Sequence, residues 1–187
     1  MRRFVKETRI AAPPEQVFAF HESPQALTSL IPPWESMRVA ESSGSLIPGS
    51  RVVLKGRVAG IIPVRWVAVH TAYAPPHLFA DRQESGPFAM WEHRHEFLDD
   101  GAGGTILRDE VDYALPLGAL GQWVAGRFVE RQIARMFAYR HETTKRIVES
   151  GPVGGGSRAA AVHQHGPGLD DDVGIDLHAV ERRRVRM

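Results

Sequence analysis

Between Met90 and Phe97 two kinds of side chain alternate along the chain. Trp91, His93, His95 and Phe97 share one face of a strand, while Met90, Glu92, Arg94 and Glu96 share the other. The second face suits water. The first is aromatic with two imidazoles, which suits a core holding a few satisfied polar groups or the wall of a ligand cavity. Strand-like stretches also fall at about 3–11, 35–42, 51–59, 63–73, 77–85, 88–98 and 104–114, parted by breaks such as Pro48-Gly49, Ala74-Pro75-Pro76 and Gly101-Ala102-Gly103-Gly104. Connections this short favour antiparallel neighbours, because a parallel crossover needs about a dozen residues or more. Two short helices are expected after the first strand, one from Gln16 to about His21 and one opened by Ser23-Pro24.

From about residue 119 to 150 the period changes. Leu120, Trp123, Val124, Phe128, Ile133, Met136, Phe137, Thr144, Ile147 and Val148 recur near helical spacing with no proline between them, which predicts one long amphipathic helix. Arg127, Glu130, Arg131, Arg135, Glu142, Lys145 and Arg146 form its solvated side. Gly126 inside it either admits a close neighbour or is a tolerated surface position. The predicted class is α+β, with about seven antiparallel strands and a long C-terminal helix. Residues 1–150 are expected to form one ligand-binding domain. Residues 151–187 begin with Gly151-Pro152-Val153-Gly154-Gly155-Gly156 and carry few large apolar side chains, so a linker and disordered tail are expected. Deleting 151–187 is therefore expected to leave the thermal midpoint nearly unchanged, and a large drop in a calorimetric scan would place the tail on the core.

The chain has 187 residues, 43% of them hydrophobic and 24% charged, with a net charge of +1. That balance suits one soluble domain and gives no electrostatic case for a nucleic-acid partner. Without cysteine, thiolate catalysis and cysteine-ligated metals are excluded. No stretch approaches the roughly 20 apolar residues of a membrane span, and Phe4-Val5-Lys6-Glu7 interrupts any export-signal pattern, so a cytoplasmic location is expected. A homodimer stays open.

If the strands at 88–98 and 104–114 pair as a hairpin, Leu107, Asp109, Val111 and Tyr113 join the face of the two histidines. Asp109 then lies beside His93 or His95. Such a pair either fixes the register of a polar network or acts as a general base, with Tyr113 donating to a developing enolate. Arg140 on the long helix either pairs with Asp109 or meets a ligand carboxylate, and His70, on the face of Trp66, lies either in the cavity or at the surface. No metal and no cofactor are expected, because alternate positions on one strand rarely converge on one ion.

Several segments together resemble the SRPBCC superfamily of helix-grip proteins, which implies a curved antiparallel sheet wrapped around the long C-terminal helix. They are Ala12-Pro13-Pro14-Glu15-Gln16-Val17-Phe18, Trp66-Val67-Ala68-Val69-His70, Gly86-Pro87-Phe88 with the strand Trp91–Phe97, Gly104–Tyr113, and Met136-Phe137-Ala138-Tyr139-Arg140. That superfamily groups polyketide cyclases and aromatases, StAR-related lipid-transfer domains and birch-pollen-allergen-like proteins. More narrowly, the chain resembles a bacterial cyclase/dehydrase-like branch found alone or ahead of a nucleotide-sugar-epimerase-like domain; residues 151–187 carry no sign of that second domain. The resemblance implies a small apolar or lipid-like partner held between sheet and long helix, with Trp66, His70, Phe88, Trp91, Phe97, Leu107, Val111, Trp123, Phe137 and Arg140 lining the site. A cyclase, aromatase or dehydrase using His93, His95, Asp109 and Tyr113 is one alternative. A regulatory protein with an incidental cavity is the other.

Overall fold

A computed structural model of the chain describes residues 1–58 and 61–151. Strand β1 (Arg2–Ile10) leads into helices α1 (Pro14–Glu22) and α2 (Ala26–Ser29). Six strands follow: β2 (Arg38–Ser42), β3 (Arg51–Val58), β4 (Ile62–Ala74), β5 (Leu78–Ser85), β6 (Met90–Asp99) and β7 (Thr105–Ala114). Helix α3 (Gly118–Glu149) comes last. The strands form one antiparallel sheet in the order β1-β7-β6-β5-β4-β3-β2, the helix-grip arrangement. Consecutive strands from β2 to β7 are hairpin neighbours, and the long return beside β7 is made by β1. From residue 152 on, the predicted tail lies outside the described residues. No described helix is long and apolar enough to cross a membrane.

The turn between β6 and β7 sets the register that matters most. Gly101 and Gly103 take positive φ angles of 74° and 83°, open to glycine without strain. The Asp100 carboxylate accepts from the backbone N–H groups of Ala102 and Gly104 at 2.8 Å each. With the turn held in this way, His95 stands opposite Asp109 and Trp91 opposite Tyr113.

Helix α3 lies along β1. Ile133, Phe137, His141, Thr144 and Val148 recur every three or four residues and are buried, which is the stripe facing the sheet. Gly126 is buried as well, because the Arg2 guanidinium lies about 3.0 Å from where a Cβ would stand. Arg2 also pairs with Glu130 at 2.7 Å. Two residues predicted on the inner face are corrected. Trp123 is 85% exposed and Phe128 60%. Arg2 opens β1 and already faces Gly126, so Trp123, about 4.5 Å earlier along the axis, projects past the end of that strand. Phe128 fails on angle: at 100° per residue it falls on the side of α3 opposite Ile133 and Phe137.

The buried apolar side chains form two clusters. One joins Ile10, Phe18, Phe79, Phe97, Leu107 and Val148. The other joins Trp91, Val111, Tyr113, Leu115, Ile133 and Phe137, with Phe4, Trp66 and Phe88 packed against it.

Candidate functional site

Between those two clusters runs a layer of ionisable side chains. Following β6 inward, Trp91 belongs to one cluster, His93 and His95 come next, and Phe97 belongs to the other. On β7 the sequence is Leu107, Asp109, Val111; on β5 Phe79 is followed two residues later by Asp81; on α3 Phe137 and Val148 bracket Arg140, His141 and Thr144. Cross-strand register assembles the layer. His70 on β4 faces Asp81, and Asp81 faces His93. His70, His93, His95, Asp109, His141 and Thr144 are all buried.

Asp109 is the hub. Its Oδ1 accepts from His93 Nε2 at 3.2 Å, and its Oδ2 accepts from His141 Nε2 at 2.8 Å. His95 Nδ1 lies 2.6 Å from Oδ1, but off the line of a directed hydrogen bond. The contact still requires a proton on that nitrogen, since a lone pair so close to a carboxylate oxygen would be repelled. Thr8 Oγ1, which donates to the Glu7 carbonyl at 2.8 Å, lies 2.9 Å from His141 Nδ1. Asp81 is the second carboxylate, with Oδ2 3.6 Å from His93 Nδ1 and 4.0 Å from His95 Nε2.

Burial and hydrogen bonding compete in this layer. Burial alone would raise the Asp109 carboxyl, but His95, His141 and His93 together hold it well below the ordinary carboxylate range. Burial pushes His95 down to about 4, helped by His93, and lowers His93 against the opposing pull of Asp109. His21 of α1, which packs 5.9 Å from His95 and donates to the Val17 carbonyl at 2.8 Å, is likewise pushed down to about 4 by burial. These three imidazoles are therefore neutral near pH 7. Burial raises Asp81, opposed by His95, His70 and Arg140. It lowers Arg140, opposed by Asp109 and Asp81. Arg140 Nε is buried without an acceptor among the described residues, and its guanidinium carbon stands 5.5 Å from the Phe137 ring centre.

The predicted residues divide into three groups. His93, His95 and Asp109 come together, with Arg140 close enough to feel Asp109. His70 is buried in the layer, its backbone and ring nitrogens directed at the Ser50 carbonyl. Trp66, Phe88, Trp91, Val111, Tyr113 and Phe137 make the aromatic side, where Trp66 and Trp91 meet edge to face at 5.1 Å and Phe88 lies 4.8 Å from Trp91. Phe97 and Leu107 belong to the opposite cluster. Tyr113 is four residues from Asp109 along a strand, about 13 Å at 3.3 Å per residue, and it stands in the aromatic cluster rather than against the His–Asp pair. Its phenol is raised by burial and by Glu130 instead. Trp123 has no place in the site.

Asp81, His141, His21 and Thr8 were not singled out in the sequence. Parity with Phe79 would have put Asp81 on the inner face, and four-residue spacing from Phe137 would have done the same for His141. Two depressions lie elsewhere, one of about 460 Å³ among Glu41, Arg51, Val53, Val67 and Glu84, the other of about 410 Å³ among Arg9, Asp100, Lys145 and Glu149. Neither is lined by a residue of the ionisable layer.

A family profile described as polyketide cyclase / dehydrase and lipid transport matches residues 1–149. Among solved structures, the chain is similar to the nucleoside-diphosphate sugar epimerase of Corynebacterium glutamicum, at 24% identity and TM-score 0.62, over 78% of this chain and 29% of that one. It is similar to the Zhui aromatase/cyclase of Streptomyces sp. R1128, at 20% identity and TM-score 0.61, over 79% and 93%. A START superfamily protein of Mycobacterium smegmatis aligns at 16% identity and TM-score 0.59, over 79% and 97%. No curated protein matches the chain in sequence.

Proposed function

Because the chain belongs to the polyketide cyclase / dehydrase and lipid transport family, within the SRPBCC superfamily, we propose that it binds a small, mainly apolar molecule between the sheet and α3. One observation carries this reading: a buried ionisable layer, with the Arg140 Nε left without an acceptor among the described residues, lies between two apolar clusters. A core built only for stability gains nothing from such a layer, since each buried polar group must recover its lost hydration. A ligand with an apolar body and an oxygen-bearing end fits it. The body lies against Trp66, Phe88 and Trp91, and the oxygen accepts from Arg140. The reading involves no nucleic acid.

Titration with the fluorescent probe anilinonaphthalene sulfonate tests it. Folded wild-type protein is expected to show one saturable site. Trp66→Ala is expected to weaken it by about tenfold, because removing a large apolar contact withdraws on the order of 1.5 kcal/mol. Absence of saturable binding by the folded protein would sink the proposal. Native mass spectrometry of protein purified from its own source then identifies the natural occupant.

A cyclase-type reaction is the second reading, favoured by the buried His93–Asp109 hydrogen bond of 3.2 Å. There the imidazole takes a proton from a carbon between two carbonyls, and Asp109 orients it. With a linear poly-β-ketone as substrate, Asp109→Asn is expected to abolish turnover while binding survives in folded protein. Unchanged turnover would remove Asp109 from the reaction.

A further inference from the structure

We propose that His93 Nδ1, His95 Nε2 and Asp81 Oδ2 form a binding site for a first-row divalent transition-metal ion. The proposal does not depend on the apolar-ligand reading. It starts from the protons that Asp109 dictates. Because His93 Nε2 donates to Asp109, its proton sits on Nε2 and Nδ1 carries a lone pair. Because His95 Nδ1 lies 2.6 Å from the same carboxylate oxygen, its proton sits on Nδ1 and Nε2 carries the lone pair. Those two lone pairs face the Asp81 carboxylate, at 3.6 and 4.0 Å, and one ligand atom from each of the three residues lies within 4.8 Å of the others. Three electron-pair donors thus converge with no hydrogen-bond donor among them. A proton on Asp81 would join only one of the two nitrogens, whereas a cation serves all three.

The dimensions and chemistry fit a transition ion. Bonds of about 2.0–2.1 Å in tetrahedral geometry hold ligand atoms roughly 3.4 Å apart, so the two imidazole nitrogens need to close on Asp81 by a few tenths of an ångström. Two imidazoles and one carboxylate suit zinc, iron, cobalt or nickel rather than magnesium or calcium. Asp109 then plays the part of the outer carboxylate that fixes both rings through their second nitrogens, and His141 and Thr8 hold Asp109 in turn. The Asp81 and His95 side chains keep 15% and 10% of their exposure, so an ion has a way in and a further coordination position is left for water or an oxygen ligand.

The sequence leads to no expectation of a metal at these histidines, because alternate positions on one strand rarely converge on one ion. Asp81 from the neighbouring strand supplies the third donor.

Full-length protein stripped with a chelator and titrated with cobalt(II), followed by visible absorption, tests the site. One equivalent is expected to bind, with the d–d bands of a four- or five-coordinate ion, and zinc is expected to displace it. Asp81→Asn, which keeps shape and volume, is expected to weaken cobalt by more than the roughly 10–100-fold typical of an outer-shell loss. The double variant His163→Ala/His165→Ala removes the other histidine pair with neighbouring aspartates and is expected to bind as wild type does. Circular dichroism verifies that each variant is folded. No saturable cobalt binding by the folded wild type overturns the proposal, and so does unchanged affinity in Asp81→Asn or lost binding in the double variant. Binding of the fluorescent probe is read separately, so failure of the metal site and failure of the apolar site are distinguishable.

Discussion

Asp109→Leu is expected to destabilise the protein by about 3–5 kcal/mol, because it strips the shared partner from three buried imidazoles at once. For a domain of this size that lowers the thermal midpoint by roughly 10 °C. Asp109→Asn is expected to lose less, since its amide oxygen still accepts from one ring while its NH2 group faces another. The order wild type, Asn, Leu is the informative result. It separates a network that needs a charged acceptor from a position that merely needs filling. Urea denaturation with a common slope measures it. If Leu unfolds at the wild-type midpoint, Asp109 does not hold the layer together. A second substitution, His141→Phe in the Leu background, is expected to recover part of the loss, because one stranded imidazole is replaced by an apolar ring.

Phe137→Ala is expected to cost about 3–5 kcal/mol by a different mechanism. The ring is fully buried on the inner face of α3, 5.3 Å from Phe4 of β1 and 5.0 Å from His93 of β6. It is the side chain through which the helix reaches both the aromatic cluster and the ionisable layer. Truncation leaves a void bordered by aromatic rings on rigid strands, which cannot collapse into it. Chemical denaturation measures the loss, and the anilinonaphthalene probe adds a second readout. A stable Phe137→Ala protein that no longer binds the probe would mean that the space was already open to a ligand. A protein unchanged in both respects would contradict the packing of α3 on the sheet.

Period and punctuation in the chain were enough for the elements. Alternation from Met90 to Phe97, the glycine turn at 101–104 and the helical spacing from Ile133 to Val148 each record a local rule, and the observed boundaries fall within a few residues of those expected. Parity also put His93, His95 and Asp109 on one face, because a two-residue period and a tight hairpin leave no other register. Phe128 was misplaced where helical spacing was followed loosely, and Trp123 because the helix outruns the strand beside it. Periodicity tells which way a side chain points, not whether anything stands there to cover it.

Asp81 and His141 carry the same lesson at the site. Asp81 reaches His93 only through the pairing of β5 with β6, which the loop from Gly86 to Ala89 does not dictate by its length. His141 reaches Asp109 only because α3 returns across β1, over a sequence separation of 32 residues. The local sequence thus determined the strands, the helix and one His–Asp pair, since each depends on neighbours along the chain. The ionisable layer, its tautomers and the convergence of three lone pairs were decided by the tertiary structure, since they depend on register between elements that only packing brings together.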